Sequence, residues 1–136
     1  MPFRCPECLA ESLEIGLSMQ LPPDSRSDEI VLQVVSCERC GFGGLAVYEE
    51  SRRGALGAEA WNHTGYWVSE EAMAEIASLI KRCPEPDKTA CQCPAHLELS
   101  RRDDHDRWRE PGSMETADTF ALRLTDGERY ERTSDL

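Results

Sequence analysis

The sequence predicts an α+β fold: a three-stranded antiparallel sheet with one packed helix, followed by a charged C-terminal extension. Three observations predict it. Two Cys-x-x-Cys pairs, Cys5-Pro6-Glu7-Cys8 and Cys37-Glu38-Arg39-Cys40, bracket a stretch that alternates apolar and polar residues. That stretch leaves the first pair and returns to the second. Further along, one capped segment carries apolar residues at helical spacing.

The first strand begins near Leu13, where Leu13, Ile15, Leu17, Met19 and Leu21 fall on one side of a period-two pattern. Pro22 to Asp28 is rich in turn residues and reads as a loop. Ile30 to Val35 is β-branched and reads as the returning strand. Gly41-Phe42-Gly43-Gly44 turns the chain, and Leu45 to Tyr48 makes a third short strand. Residues 51–68 read as irregular, with a short helix near Ala58–Trp61.

A helix is expected over residues 69–82. Ser69 is a good N-cap, Glu70 and Glu71 complement the positive end of the helix dipole, and Lys81 and Arg82 suit the other end. Met73, Ile76, Ala77 and Ile80 form one apolar stripe, and Pro84 stops the helix after Cys83. Residues 98–118 are dense in charge, with Leu97, Leu99 and Trp108 as the few apolar anchors nearby. Phe120, Leu122 and Leu124 alternate before Asp126-Gly127, which signals a hairpin over 119–133. The expected division is residues 1–97 as one domain, including a second cysteine-rich turn at 83–96, and residues 98–136 as the extension.

Two thiolates on one tight turn can share a tetrahedral ion, and two such turns complete a closed site. Cys5, Cys8, Cys37 and Cys40 are therefore expected to hold one zinc, with the alternating stretch as a long hairpin that brings the two turns together. Gly41, directly after the last cysteine, can take positive φ there. The paired turns and Gly41 resemble the zinc ribbon superfamily over residues 3–50. That resemblance implies a three-stranded sheet clamped by one structural zinc. Zinc ribbons serve in transcription, ribosomes and enzyme appendages, so it implies little about activity.

Cys83, Cys91, Cys93 and His96 fall within 14 residues and form a candidate second zinc site; free thiols on a helix end and loop are the alternative. His96-Leu97-Glu98 matches half of a zinc deaminase signature, but no Cys-x-x-Cys follows it. Trp61, His63, Tyr66 and Trp67 form the densest aromatic group and could line a pocket or partner face, with His63 as acid, base or ligand. The plainer reading is a core layer with His63 hydrogen-bonded.

A net charge of −11 over 136 residues disfavours strong direct binding to nucleic acid, whose affinity depends on Lys and Arg at phosphates. It favours a basic protein partner. Seven cysteines without a secretory leader fit reduced thiols and metal, so a cytoplasmic protein without a membrane anchor is expected. The expected role is a non-catalytic, zinc-stabilised interaction or accessory module. One alternative is a small metal-dependent enzyme or ligand-binding protein using His63 and its aromatic neighbours or an open second metal site. A thiol redox protein is another.

Overall fold

A computed structural model describes residues 2–51 and 60–123. Among these residues, six strands run in sequence order as one antiparallel meander: β1 (Phe3–Arg4), β2 (Glu11–Leu21), β3 (Glu29–Cys37), β4 (Gly43–Ser51), β5 (Ala60–Tyr66) and β6 (Thr119–Ala121). Three helices, α1 (Glu70–Arg82), α2 (Pro94–Leu99) and α3 (Gly112–Glu115), lie between β5 and β6. The α+β class holds, but three strands and one helix do not. Even without the two-residue β1, five strands remain. The segment expected to be irregular supplies much of the difference: β4 runs on to Ser51, and Trp61, expected on a short helix, lies in β5. Residues 52–59 lie outside the described residues, as do 124–136 with the Asp126-Gly127 turn.

The β2–β3 hairpin forms as the alternation predicts, from Leu13 opposite Cys37 to Leu21 opposite Ile30. The single apolar face does not. A bulge at Gly16 shifts the register, so Ile15 faces Val35 and Leu17 faces Val34. One extra residue reverses the side-chain alternation. Leu13 consequently packs with Val35 and Cys37 on one face, whereas Met19 and Leu21 pack with Leu32 and Ile30 on the other.

The second face receives the helices. In α1, Ser69 Oγ accepts from Ala72 N–H at 3.1 Å, the expected cap, and Ile76 and Ile80 are buried against the sheet. Leu99, Trp108 and Met114 join the same cluster, so the charged segment after residue 97 contributes core. Burying a side chain of that size from water is worth about 1.5–3 kcal/mol. Leu97, by contrast, is exposed.

On the first face the sheet curls until its edges meet. Arg4 N–H donates to the Arg123 carbonyl at 3.0 Å, and the Phe3 ring stands edge-on to His63 with centroids 5.1 Å apart. That bond links the two edges of the sheet at one point, beside the short strands β1 and β6. The enclosed layer holds Cys5, Leu13, Val35, Cys37, Ala46 and Leu122, with Phe3, Phe42 and Phe120 beside them.

Gly65 is required by this closure. It pairs with Phe120, whose ring lies over it, so a Cβ there would collide with Phe120 Cζ. The ring cannot retreat freely, because Phe42 and Trp67 flank it at centroid distances of 5.8 and 5.6 Å. Gly65→Ala is expected to displace Phe120 and loosen β6 at a cost of about 1–3 kcal/mol. Denaturant melts, together with hydrogen exchange of the β5–β6 amides, measure it; an unchanged midpoint would contradict the packing.

Candidate metal centres

The structure gathers Cys5, Cys8, Cys37 and Cys40 at one end of the curled sheet, with all four sulfurs within 4.8 Å of one another. Cys5 Sγ lies 3.7 Å from Cys40 Sγ, and Cys8 Sγ lies 3.8 Å from Cys37 Sγ. A tetrahedron with zinc–sulfur bonds of about 2.3 Å has edges of about 3.8 Å. The donors and their spacing therefore suit a tetrahedral ion. Cys5 and Cys37 are buried in the inner layer, whereas Cys8 and Cys40 are exposed.

Two copies of one backbone device present these sulfurs. Cys5 N–H donates to Ala10 O and Leu9 N–H to Cys5 O, each at 2.9 Å; Cys37 N–H donates to Phe42 O at 2.8 Å and Gly41 N–H to Cys37 O at 2.9 Å. In each copy the residue after the second cysteine is left-handed: Gly41 at φ 83° and Leu9 at φ 65°. Gly41 has the conformation expected of it. Leu9 adopts the same one despite its Cβ, which costs roughly 1–2 kcal/mol. Its side chain is 63% exposed and has little packing to lose. Leu9→Gly is therefore expected to stabilise the protein by about 0.5–1 kcal/mol after the extra chain entropy of glycine. A higher melting temperature with unchanged metal content checks it.

Donors converge on the sulfurs. Glu7 N–H donates to Cys5 Sγ at 3.4 Å and Cys40 N–H to Cys37 Sγ at 3.5 Å. Ser12 Oγ lies 2.9 Å from Cys37 Sγ, and together with backbone donors it outweighs the opposing effect of burial and sets that thiol at about 6, well below an ordinary cysteine. Its neighbours shift the other way. Burial raises Cys5, and although the Phe42 N–H favours the Cys40 thiolate, burial and the surrounding thiols push Cys40 up to about 12. One thiolate is thus favoured among neighbours that resist ionising beside it. A cation at the centre would remove that resistance. Ser12 was invisible in the sequence, since only the β2–β3 register brings it to Cys37.

The second cysteine-rich turn also forms a cluster. Cys83, which caps the C-terminus of α1, Cys91 and His96 have ligand atoms within 4.8 Å of one another, and Cys93 caps the N-terminus of α2 beside them. Both clusters can hold a metal ion.

The aromatic group is not one group. Strand alternation puts Trp61 and His63 on the enclosed side, where Trp61 stacks on Tyr48 with centroids 6.5 Å apart, while Tyr66 packs in the helix-side core. Tyr66 donates its hydroxyl to Glu110, and burial followed by that carboxylate raises its pKa. Trp67 packs on Phe42 instead, at 5.0 Å. His63 Nε2 is 2.7 Å from Gln33 Oε1, and Phe3 and Tyr48 stand edge-on to its ring. Burial pulls its pKa to about 4, so the ring is neutral near pH 7.

Comparison with known proteins finds no matching family model, curated protein or solved structure. Among the described residues, no helix is long and apolar enough to cross a membrane.

Proposed function

We propose that this chain is a non-catalytic, zinc-stabilised interaction or accessory module. The convergence of Cys5, Cys8, Cys37 and Cys40 on one point carries the reading. Four protein ligands close a zinc site and leave no position for water or substrate, so such an ion holds structure and performs no chemistry. It ties the turn before β2 to the turn after β3 and caps the inner layer of the curled sheet. The state of His63 supports the same reading. A neutral ring already bonded to Gln33 and hemmed by Phe3 and Tyr48 is poorly placed to shuttle protons.

The partner follows from charge. At −11 before any metal thiolate is counted, the chain suits a basic protein surface. Zinc analysis of the purified protein is expected to find metal that Cys5, Cys8, Cys37 and Cys40 retain. Host proteins held by the zinc-loaded chain are expected to be basic and to elute between about 0.05 and 0.5 M salt, as screening removes the attraction. A catalytic activity lost in a folded His63→Ala variant would overturn the reading.

A further inference from the structure

The cluster at the end of α1 has features that loose thiols do not explain. Cys83 Sγ lies 3.6 Å from Cys91 Sγ and 3.3 Å from His96 Nδ1. With zinc–sulfur bonds of about 2.3 Å and zinc–nitrogen bonds of about 2.05 Å, tetrahedral edges are about 3.8 and 3.6 Å. The observed spacings lie slightly below these edges.

The histidine is oriented for ligation. His96 is wholly buried, and its Nε2 lies 2.8 Å from the backbone carbonyl of Gln20. A carbonyl oxygen only accepts, so the ring proton sits on Nε2 and the Nδ1 lone pair is left facing the sulfurs. A backbone partner on the far nitrogen is how ligating histidines are commonly held.

The fourth donor is Cys93. Its sulfur accepts from His96 N–H at 3.3 Å, which places it beside the group of Cys83, Cys91 and His96, whose ligand atoms alone lie within 4.8 Å of one another. This repeats the arrangement of the first cluster, where Cys37 Sγ accepts from Cys40 N–H, again three residues on, at 3.5 Å. Cys93-Pro94-Ala95-His96 thus resembles Cys37-Glu38-Arg39-Cys40 in local form, with imidazole in place of the last thiolate.

We propose that Cys83, Cys91, Cys93 and His96 Nδ1 bind a second structural zinc ion, which staples the helical layer to the far end of β2. Three thiolates and an imidazole select zinc over magnesium or calcium, which require oxygen donors. The ion would fix three places at once: the end of α1, the start of α2 and, through Gln20, the far end of β2. Gln20 N–H also donates to Pro86 O at 2.7 Å, so the intervening loop already lies against that strand. With the first cluster beside Leu13 and this one beside Gln20, β2 would be pinned at both ends. The proposal extends the zinc-stabilised reading but uses none of the same ligands, so the two can fail separately.

The test is zinc content by mass spectrometry together with alkylation of the native, zinc-loaded protein, followed by peptide mapping. Two zinc ions per chain are expected, with Cys83, Cys91 and Cys93 protected until a chelator is added. Cys93→Ser and His96→Ala should each lower the count to one and expose the thiols left in this cluster, two in the first variant and three in the second, with Cys5, Cys8, Cys37 and Cys40 still protected. Should those variants misfold, cobalt(II) can be loaded into the unaltered protein. Two cobalt ions, one with a three-sulfur, one-nitrogen spectrum, support the site; a single four-sulfur spectrum refutes it. One zinc per chain with Cys83, Cys91 and Cys93 freely alkylated overturns this proposal and leaves the first site standing. No retained zinc, with all seven cysteines reactive, overturns both.

Discussion

Cys37→Ser is expected to abolish cooperative folding of the sheet. Cys37 is buried in the inner layer, lies opposite Leu13 in the hairpin, and receives both Ser12 and the Cys40 N–H. Serine at this position is a poor zinc ligand and leaves three thiols around an incomplete site. Structural zinc contributes on the order of 10 kcal/mol or more in small domains, against a typical total stability of about 5–15 kcal/mol. The variant should therefore lose its zinc at this site and its sharp thermal transition together. Circular dichroism melts, read beside metal content, measure both. Ser12→Ala provides the contrast, because it removes a partner of the sulfur while keeping every ligand. Its expected cost is about 10–100-fold in metal affinity with the melt still cooperative. Equal melting temperatures for Cys37→Ser and the unaltered protein would mean that the sheet stands without its clamp.

The two cysteine turns, the hairpin between them and α1 were legible because their signals are local. Cys-x-x-Cys spacing, two-residue alternation and the Ser69 cap each act within a few positions. The rest depends on partners distant in the chain. Gly65 falls in the stretch expected to be irregular, yet it is a β5 position kept small by Phe120, which lies far along the sequence. Alternation in β2 suggested one apolar face, and a single bulge at Gly16 divided it between two. The charged segment after residue 97 has no apolar period, since Leu99, Trp108 and Met114 each serve as a separate anchor. Large apolar residues isolated among charges were the one available sign of burial there, and exposed Leu97 shows how imperfect that sign is. For the metal clusters, residue identity and spacing sufficed to nominate ligands. The supporting groups, Ser12 and the Gln20 carbonyl, arrive only through strand register and packing.

Asp24→Ala is expected to cost about 3–5 kcal/mol, as much as truncating a large core side chain. Asp24 lies in the loop between β2 and β3, which the sequence marks only as a turn, yet it is 5% exposed. One carboxylate oxygen accepts Arg26 N–H at 2.8 Å and Ser27 N–H at 2.6 Å. The other accepts Trp108 N–H, also at 2.6 Å. The same aspartate thus shapes its own loop and anchors the segment carrying Trp108, whose indole donates to Leu99 O at 2.8 Å. Alanine would leave three backbone donors without their charged acceptor, two of them in bonds that are fully buried. Asp24→Asn keeps one acceptor oxygen and should lose less, about 1–2 kcal/mol. Burial opposes ionisation of Asp24, but the Trp108, Ser27 and Arg26 N–H groups outweigh it and hold the carboxyl below its usual range. A depressed carboxyl pKa means that the unfolded chain takes up the proton first. The contribution of Asp24 is therefore complete above about pH 4 and is lost as pH falls toward and through the folded value. Denaturant midpoints for the unaltered protein should decline across that acid range, and those for Asp24→Asn should decline less. Parallel curves would show that another carboxyl governs the acid limit.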